Sequence, residues 1–204
     1  MTLIDLVDQA AARLDKAKLS FGHGTTNAFD EAAWLGQHTR AVLDLCTGNG
    51  SLAVLAALAW PEVDVTATDL SADALEVAAL NVQRHQLQGR IRLAQGDGLA
   101  AAPGRFDLIL CNPPYVNRVS MAALPPEYRA EPALALDGGA DGMDFIRRLL
   151  AQAAAHLNDA GVLVLEIGHE RAHFEAAFPR LPVVWLPTSA GDDQVLLIEK
   201  NALP

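Results

Sequence analysis

Residues 112–115 read Asn-Pro-Pro-Tyr and follow directly on the apolar run Phe106-Asp107-Leu108-Ile109-Leu110-Cys111. Two successive prolines remove two backbone donors and fix two φ angles, so the chain continues neither as strand nor as helix. What remains is a stiff rim carrying the Asn112 amide, free carbonyls and the aromatic face of Tyr115. A strand ending in such a rim, downstream of a glycine-rich loop, points to methyl transfer onto a planar, conjugated nitrogen. The plainer alternative is a loop that merely stops a strand.

The glycine-rich loop is Asp44-Leu45-Cys46-Thr47-Gly48-Asn49-Gly50-Ser51. Glycines here allow positive φ and close approach of backbone to a ligand. Asp69, at the tip of the next strand, is placed to accept from ribose hydroxyls. On the loop alone, Gly48-x-Gly50-x-x-Ala53 with a following acid also fits a dinucleotide fold. Asp44 instead suits S-adenosylmethionine, whose cationic ammonium needs acceptors, and Asn-Pro-Pro-Tyr has no role in hydride transfer. Asp97 could accept from an adenine amino group with Gly98 beside the ring; equally, Gly96-Asp97-Gly98 reads as a solvated turn. No metal-ligand cluster is expected.

The elements that must position these residues alternate. Val42–Cys46, Val63–Thr68, Ile91–Ala94 and Phe106–Cys111 read as short strands, with helices at Leu52–Ala59 and after Ser71, a plausible N-cap with Leu75, Ala78, Ala79 and Val82 on one face. Pro113 to about Gly142 reads as a long loop holding five of the 11 prolines, and loops of that length are usually functional. A helix Met143–Leu157, a strand Val162–Ile167 and a helix near Arg171–Phe178 follow. Val183–Leu186 and Gln194–Glu199, joined by a Gly191-Asp192-Asp193 turn, resemble a hairpin. The pattern is α/β: a mostly parallel sheet with helices on both faces and an antiparallel terminal hairpin. Before it, Leu3, Ile4, Leu6, Val7, Ala10, Ala11 and Leu14 form an amphipathic stripe, then a turn-like Phe21–Ala28 and a short helix to Leu35.

Composition narrows the function classes. At 204 residues and 51% hydrophobic, the chain can bury one full core. A formal charge of −10 disfavours direct nucleic-acid binding, which relies on Lys and Arg neutralising phosphates, and suits a basic protein substrate. The two cysteines, Cys46 and Cys111, read as small packing residues in a reducing compartment. With Asp5 and Asp8 near the start and no apolar run of membrane-spanning length, a soluble, cytoplasmic protein without a membrane partner is expected. The sequence leaves the oligomeric state open.

In these motifs the chain resembles the methyltransferases that modify glutamine side chains in release factors and ribosomal proteins. Asp44–Gly50, Asn112-Pro113-Pro114-Tyr115-Val116, Glu131–Leu136, Asp141-Gly142 and Glu166-Ile167-Gly168 carry the likeness. Phe21–Ala28 is similar to the branch acting on a glutamine of large-subunit ribosomal protein L three. The resemblance implies a Rossmann-like class I methyltransferase with a seven-stranded sheet over residues 40–204, and S-adenosylmethionine held by Asp44, Cys46, Thr47, Gly48, Asn49, Gly50, Asp69, Asp97, Gly98 and Asn112. It also implies that the Asn112 side-chain carbonyl and the Pro113 carbonyl accept the two amide N–H bonds, with Pro114 and Tyr115 completing the substrate contact.

One stretch departs from the family. Only twelve residues separate Glu31 from Asp44, where relatives carry the rest of a helical docking domain, a hairpin and a Pro-Arg segment. Residues 1–39 are therefore expected to be a shortened N-terminal helical segment, with Trp34-Leu35-Gly36 at the junction. Two other readings stay open: an adenine amino-methyltransferase acting on DNA or RNA, and a remnant that binds cofactor without activity. Glu166, at the end of a strand, could face the site or support a neighbouring loop.

Overall fold

Alternation of apolar residues sorts the first strand's side chains between two cores. The computed structural model describes residues 39–123, 132–188 and 191–204. The Leu3–Leu14 stripe, the Phe21–Ala28 turn, the expected helix to Leu35, Trp34-Leu35-Gly36, Pro125, Pro126 and Glu131 lie outside them. In β1 (Ala41–Leu45), Leu43 and Leu45 enter one buried cluster and Val42 enters the other. This is the period-two pattern of a strand buried on both faces.

After β1 come α1 (Ser51–Ala59), β2 (Asp64–Asp69), α2 (Ala72–Arg84), β3 (Ile91–Gln95) and β4 (Phe106–Cys111). The short helices α3 (Arg118–Ala123) and α4 (Ala133–Leu136) lead to α5 (Asp144–Ala153), β5 (Leu157–Glu166), α6 (Arg171–Ala177), β6 (Val184–Thr188) and β7 (Gly191–Glu199). The sheet order is β3-β2-β1-β4-β5-β7-β6, and β7 runs antiparallel to both β5 and β6. Strand order reverses between β1 and β4, whose ends are held level by the Leu45–Cys111 pairing. Outside that reversal a crevice opens in folds of this kind.

One face of the sheet carries the cluster with Met143, Ile146, Leu149 and Leu150 of the α5 region and Phe174 of α6. The other carries Ala53, Val54, Ala56 and Ala57 of α1 with Val82 of α2. Among the described residues no helix is long and apolar enough to cross a membrane.

Several boundaries differ from the sequence expectation. The stretch after Pro113 is not a bare loop: it forms α3 and α4, and Val116 bridges to Asp137. The helix expected to run to Leu157 ends at Ala153, and β5 begins at Leu157, not Val162. Leu157 is fully buried opposite Phe106, the Asn158 amide donates to Asp107, and the register slips before Val162 meets Leu108. Gly191-Asp192-Asp193, expected as a turn, opens β7 instead. On α2 the buried residues are Ala78 and Val82, whereas Ala79 is exposed. It lies about 100° round the helix from Ala78 and so leaves the sheet.

Candidate active site

The carboxyl ends of β3, β2, β1 and β4 stand side by side, and each bears one group of the expected site residues. Asp97 and Gly98 follow β3, Asp69 ends β2, Asp44 to Gly50 leave β1, and Asn112 to Tyr115 leave β4.

Asp44 is fully buried on the α1 face. Its Oδ2 accepts from the Thr47 hydroxyl at 2.5 Å and from the Ala53 amide at 2.9 Å. Gly50, the N-cap of α1, has no side chain to cap with, so Asp44 supplies the acceptor from the strand. Asn49 adds a second, accepting from the amide and hydroxyl of Ser51. Burial pushes the Asp44 carboxyl up to about 6, against the lowering pull of Thr47 and Ala53. Among the described residues its Oδ1 is buried with no hydrogen-bond partner.

The loop turns through three left-handed residues: Cys46 (φ 60°), Gly48 (φ 54°) and Gly50 (φ 80°). Cys46 is the unusual one, since a residue with a Cβ seldom adopts that region. The two cysteines are free thiols at the paired ends of β1 and β4, and burial pushes the Cys111 thiol well up. Asp69 holds the loop from the neighbouring strand: Oδ2 accepts from the Gly48 amide at 2.8 Å and Oδ1 from the Ser71 amide at 2.9 Å. Each oxygen keeps a lone pair for a further donor.

Asp97 takes Arg148 at 2.9 Å, and both side chains are more than half exposed. Both also line a pocket, together with Leu45, Gly98, Phe145, Leu149 and Gln152. A Cβ on Gly98 would come within 3.8 Å of the Phe145 ring. Sequence reasoning missed Phe145 because it sits on a helix 47 positions beyond Gly98, with no local signal.

Asn112 is exposed, Pro113 buried, and Pro114 and Tyr115 half-buried. Among the described residues the Asn112 side chain makes no hydrogen bond. Three glycines crowd around Tyr115. A Cβ on Gly168 would lie 2.6–2.9 Å from its ring, one on Gly138 would lie 2.8 Å from its carbonyl carbon, and one on Gly142 would strike its carbonyl oxygen. The Val116 amide donates to Leu136, the Gly138 amide to Val116 and the Arg118 amide to Gly139. Gly142 thus packs against the rim, while Arg147 pairs with Asp141.

Glu166 is half-buried, and burial raises its carboxyl above the ordinary range. By strand alternation it shares the face of Val162 and Val164. Sequence reasoning passed over Asn117 and Glu170, which are both buried and joined by a 2.8 Å hydrogen bond. An Asn ahead of a helix start was a legible signal for the first. The second lies 53 positions away and had none. Among the described residues no group of His, Cys, Asp or Glu could hold a metal ion.

A seven-stranded, mostly parallel sheet with an antiparallel β7, helices on both faces and this loop at the strand reversal defines the Rossmann-like class I methyltransferase fold. The Methyltransferase small domain family model matches residues 26–124. A ribosomal protein uL3 glutamine methyltransferase of Bordetella pertussis is 61% identical over 162 residues, covering 79% of this chain but only 54% of that relative. The matched part is thus about half the length of that protein. Its counterpart in Burkholderia pseudomallei is 40% identical over 294 positions, spanning 100% of this chain and 96% of the relative. The chain belongs to the ribosomal protein uL3 glutamine methyltransferase family.

Because 294 aligned positions meet only 204 residues, at least 90 positions have no counterpart here, and nearly end-to-end coverage makes that shortfall internal. Among solved structures, a methyltransferase from Pyrococcus furiosus shares the fold, with a TM-score of 0.59 at 21% identity over 95% of this chain and 98% of that one.

Proposed function

We propose that the chain transfers a methyl group from S-adenosylmethionine to the side-chain amide nitrogen of a glutamine in ribosomal protein uL3, in the cytoplasm. The observation that carries the cofactor half is Asp44. A fully buried carboxylate oxygen without a partner is costly, and a cationic group arriving at the loop relieves that cost. S-adenosylmethionine presents such a cation in its ammonium. Gly48, Asn49 and Gly50 give it close backbone approach, with Cys46 and Thr47 in the same turn. The Asp69 carboxylate keeps lone pairs for ribose hydroxyls. Gly98 and Phe145 bound a slot suited to a flat base, with Asp97 at its mouth.

When bound, the sulfonium supplies an electrophilic methyl group. An amide nitrogen is a poor nucleophile because its lone pair is delocalised. The Asn112 side-chain carbonyl and the Pro113 carbonyl accept its two N–H bonds and aim the lone pair at the methyl carbon. In transfer the nitrogen held by these two carbonyls would gain the methyl group, and the electron pair of the broken carbon–sulfur bond would stay on sulfur. The nitrogen, acidified by its positive charge, then releases a proton to water. Tyr115 flanks the amide plane and Pro114 stiffens the rim. Positioning and fixed dipoles carry the step, so no strong base is needed.

A basic ribosomal protein matches the acidic charge balance, and contact with RNA would come only through that substrate. The catalytic unit comprises residues 40–204 and is preceded in the sequence by the shortened segment 1–39. Incubating the chain with labelled S-adenosylmethionine and purified uL3, or free RNA or DNA in parallel, tests the reading. Label on a glutamine of uL3 is expected; label on nucleic acid or cofactor binding without transfer overturns it.

A further inference from the structure

The rim at 112–115 is built by residues far from it, and one of them is a buried carboxylate that the chemistry above does not use. Glu170 is 8% exposed. Its Oε1 accepts from Asn117 Nδ2 at 2.8 Å, and Oε2 meets His173 Nδ1 at 2.5 Å. Asn117 is 6% exposed and spends its amide fully. Its Oδ1 accepts from the Val119 and Ser120 amides, capping α3, while Nδ2 also reaches the Ser120 hydroxyl. The Glu170 backbone starts α6, accepting from the Phe174 amide. Phe174 is itself core. The result is a rigid tie from the core, through Glu170 and Asn117, to the segment leaving Tyr115.

Burying a charged group only to cap a six-residue helix has no evident return in stability, because an exposed Asn cap serves equally well. The tie does fix something else. Tyr115 precedes Asn117 by two residues, and its ring packs against Gly168, two residues before Glu170, where any Cβ would push it. We propose that Glu170, acting through Asn117, is a positioning residue that holds the Asn112–Tyr115 rim in register with the cofactor loop. This rests on the methyl-transfer reading.

Four chains test it: the wild type, Glu170→Gln, Glu170→Ala and Glu170→Ala/Asn117→Ala. Glutamine keeps an acceptor for Asn117; alanine does not. The expected outcome is a kcat about 10- to 100-fold lower for Glu170→Ala, because small misplacements of a reacting group cost on that scale. Glu170→Gln should recover most of it, the double variant should lose no more than Glu170→Ala, and S-adenosylmethionine affinity should be unchanged in all four. Unchanged kcat in Glu170→Ala, or a Glu170→Gln as impaired as Glu170→Ala, overturns the proposal.

Amide hydrogen exchange at Tyr115, Val116 and Arg118 keeps the test independent of turnover. Exchange should quicken in Glu170→Ala and stay slow in Glu170→Gln. If the wild type transfers no methyl, the functional reading fails, while exchange unaltered in Glu170→Ala defeats this inference alone.

Discussion

Two loops leave adjacent strands at the strand reversal, and they are built in opposite ways. The loop after β1 is nearly self-sufficient. Asp44 binds Thr47 and Ala53, Asn49 binds Ser51, and outside support comes only from the next strand and helix, through Thr68, Asp69 and Asn81. The rim after β4 makes little of its own. Leu136 to Gly142 lace it on one side, while Gly168 and Glu170 confine it on the other. Local construction suits a site for an invariant cofactor. A site for a protein side chain depends on the whole tertiary frame, and so on changes far from it.

Variants that separate the two loops sharpen this contrast. The largest effect is expected for Asn112→Ala, which would remove one of the two proposed amide acceptors. Transfer should fall about 100- to 1,000-fold with cofactor affinity nearly intact, the scale of losing one preorganised polar contact. Labelled-methyl kinetics beside calorimetry would check it, and an active variant would remove Asn112 from the mechanism.

Asp69→Ala should act in the opposite sense. Cofactor binding should weaken about 10- to 100-fold through lost charged hydrogen bonds and a loosened Gly48. Unchanged calorimetric affinity would refute the ribose assignment.

Gly168→Ala comes next, adding a Cβ at φ 52° against the Tyr115 ring. About tenfold loss of kcat without loss of cofactor affinity is expected. An equal loss in both would mean that the loops are mechanically one unit.

Asp44 supplies a pH signature. Its carboxyl titrates at about 6, above its ordinary 3.8, so it protonates as pH falls through 6. Affinity for the cationic cofactor should be full above that value and about tenfold weaker at pH 5. The sign for stability is opposite. The folded state binds this proton more tightly than the unfolded chain, so the group favours unfolding at pH 7 and that cost is relieved towards pH 4. Calorimetry and thermal melts at pH 7.5 and 5 would detect both trends.

The smallest effect belongs to Ser71→Ala, which removes the hydroxyl accepting from the Ala74 amide at the start of α2. A loss of about 1 kcal/mol in stability is expected, with kcat unchanged. Altered turnover would show that the α2 end reaches further into the site than its contacts imply.

The sequence by itself determined the alternating α/β plan, the strand β4 to the residue, the Ser71 cap and both site loops. Each is written in neighbouring residues: period-two apolar runs, a hydroxyl before a helix, glycines after a strand, paired prolines. Too few residues between two motifs also raised the expectation of a shortened stretch before Asp44. The tertiary structure alone decided the early start of β5, where pairing with Phe106 outweighs local pattern. It alone also brought Phe145 to Gly98, three glycines to Tyr115 and Glu170 to Asn117. Those partners lie 23 to 53 positions apart in the chain. Sequence patterns report which face a residue presents, but contact between distant segments depends on how the sheet sets its strand ends side by side.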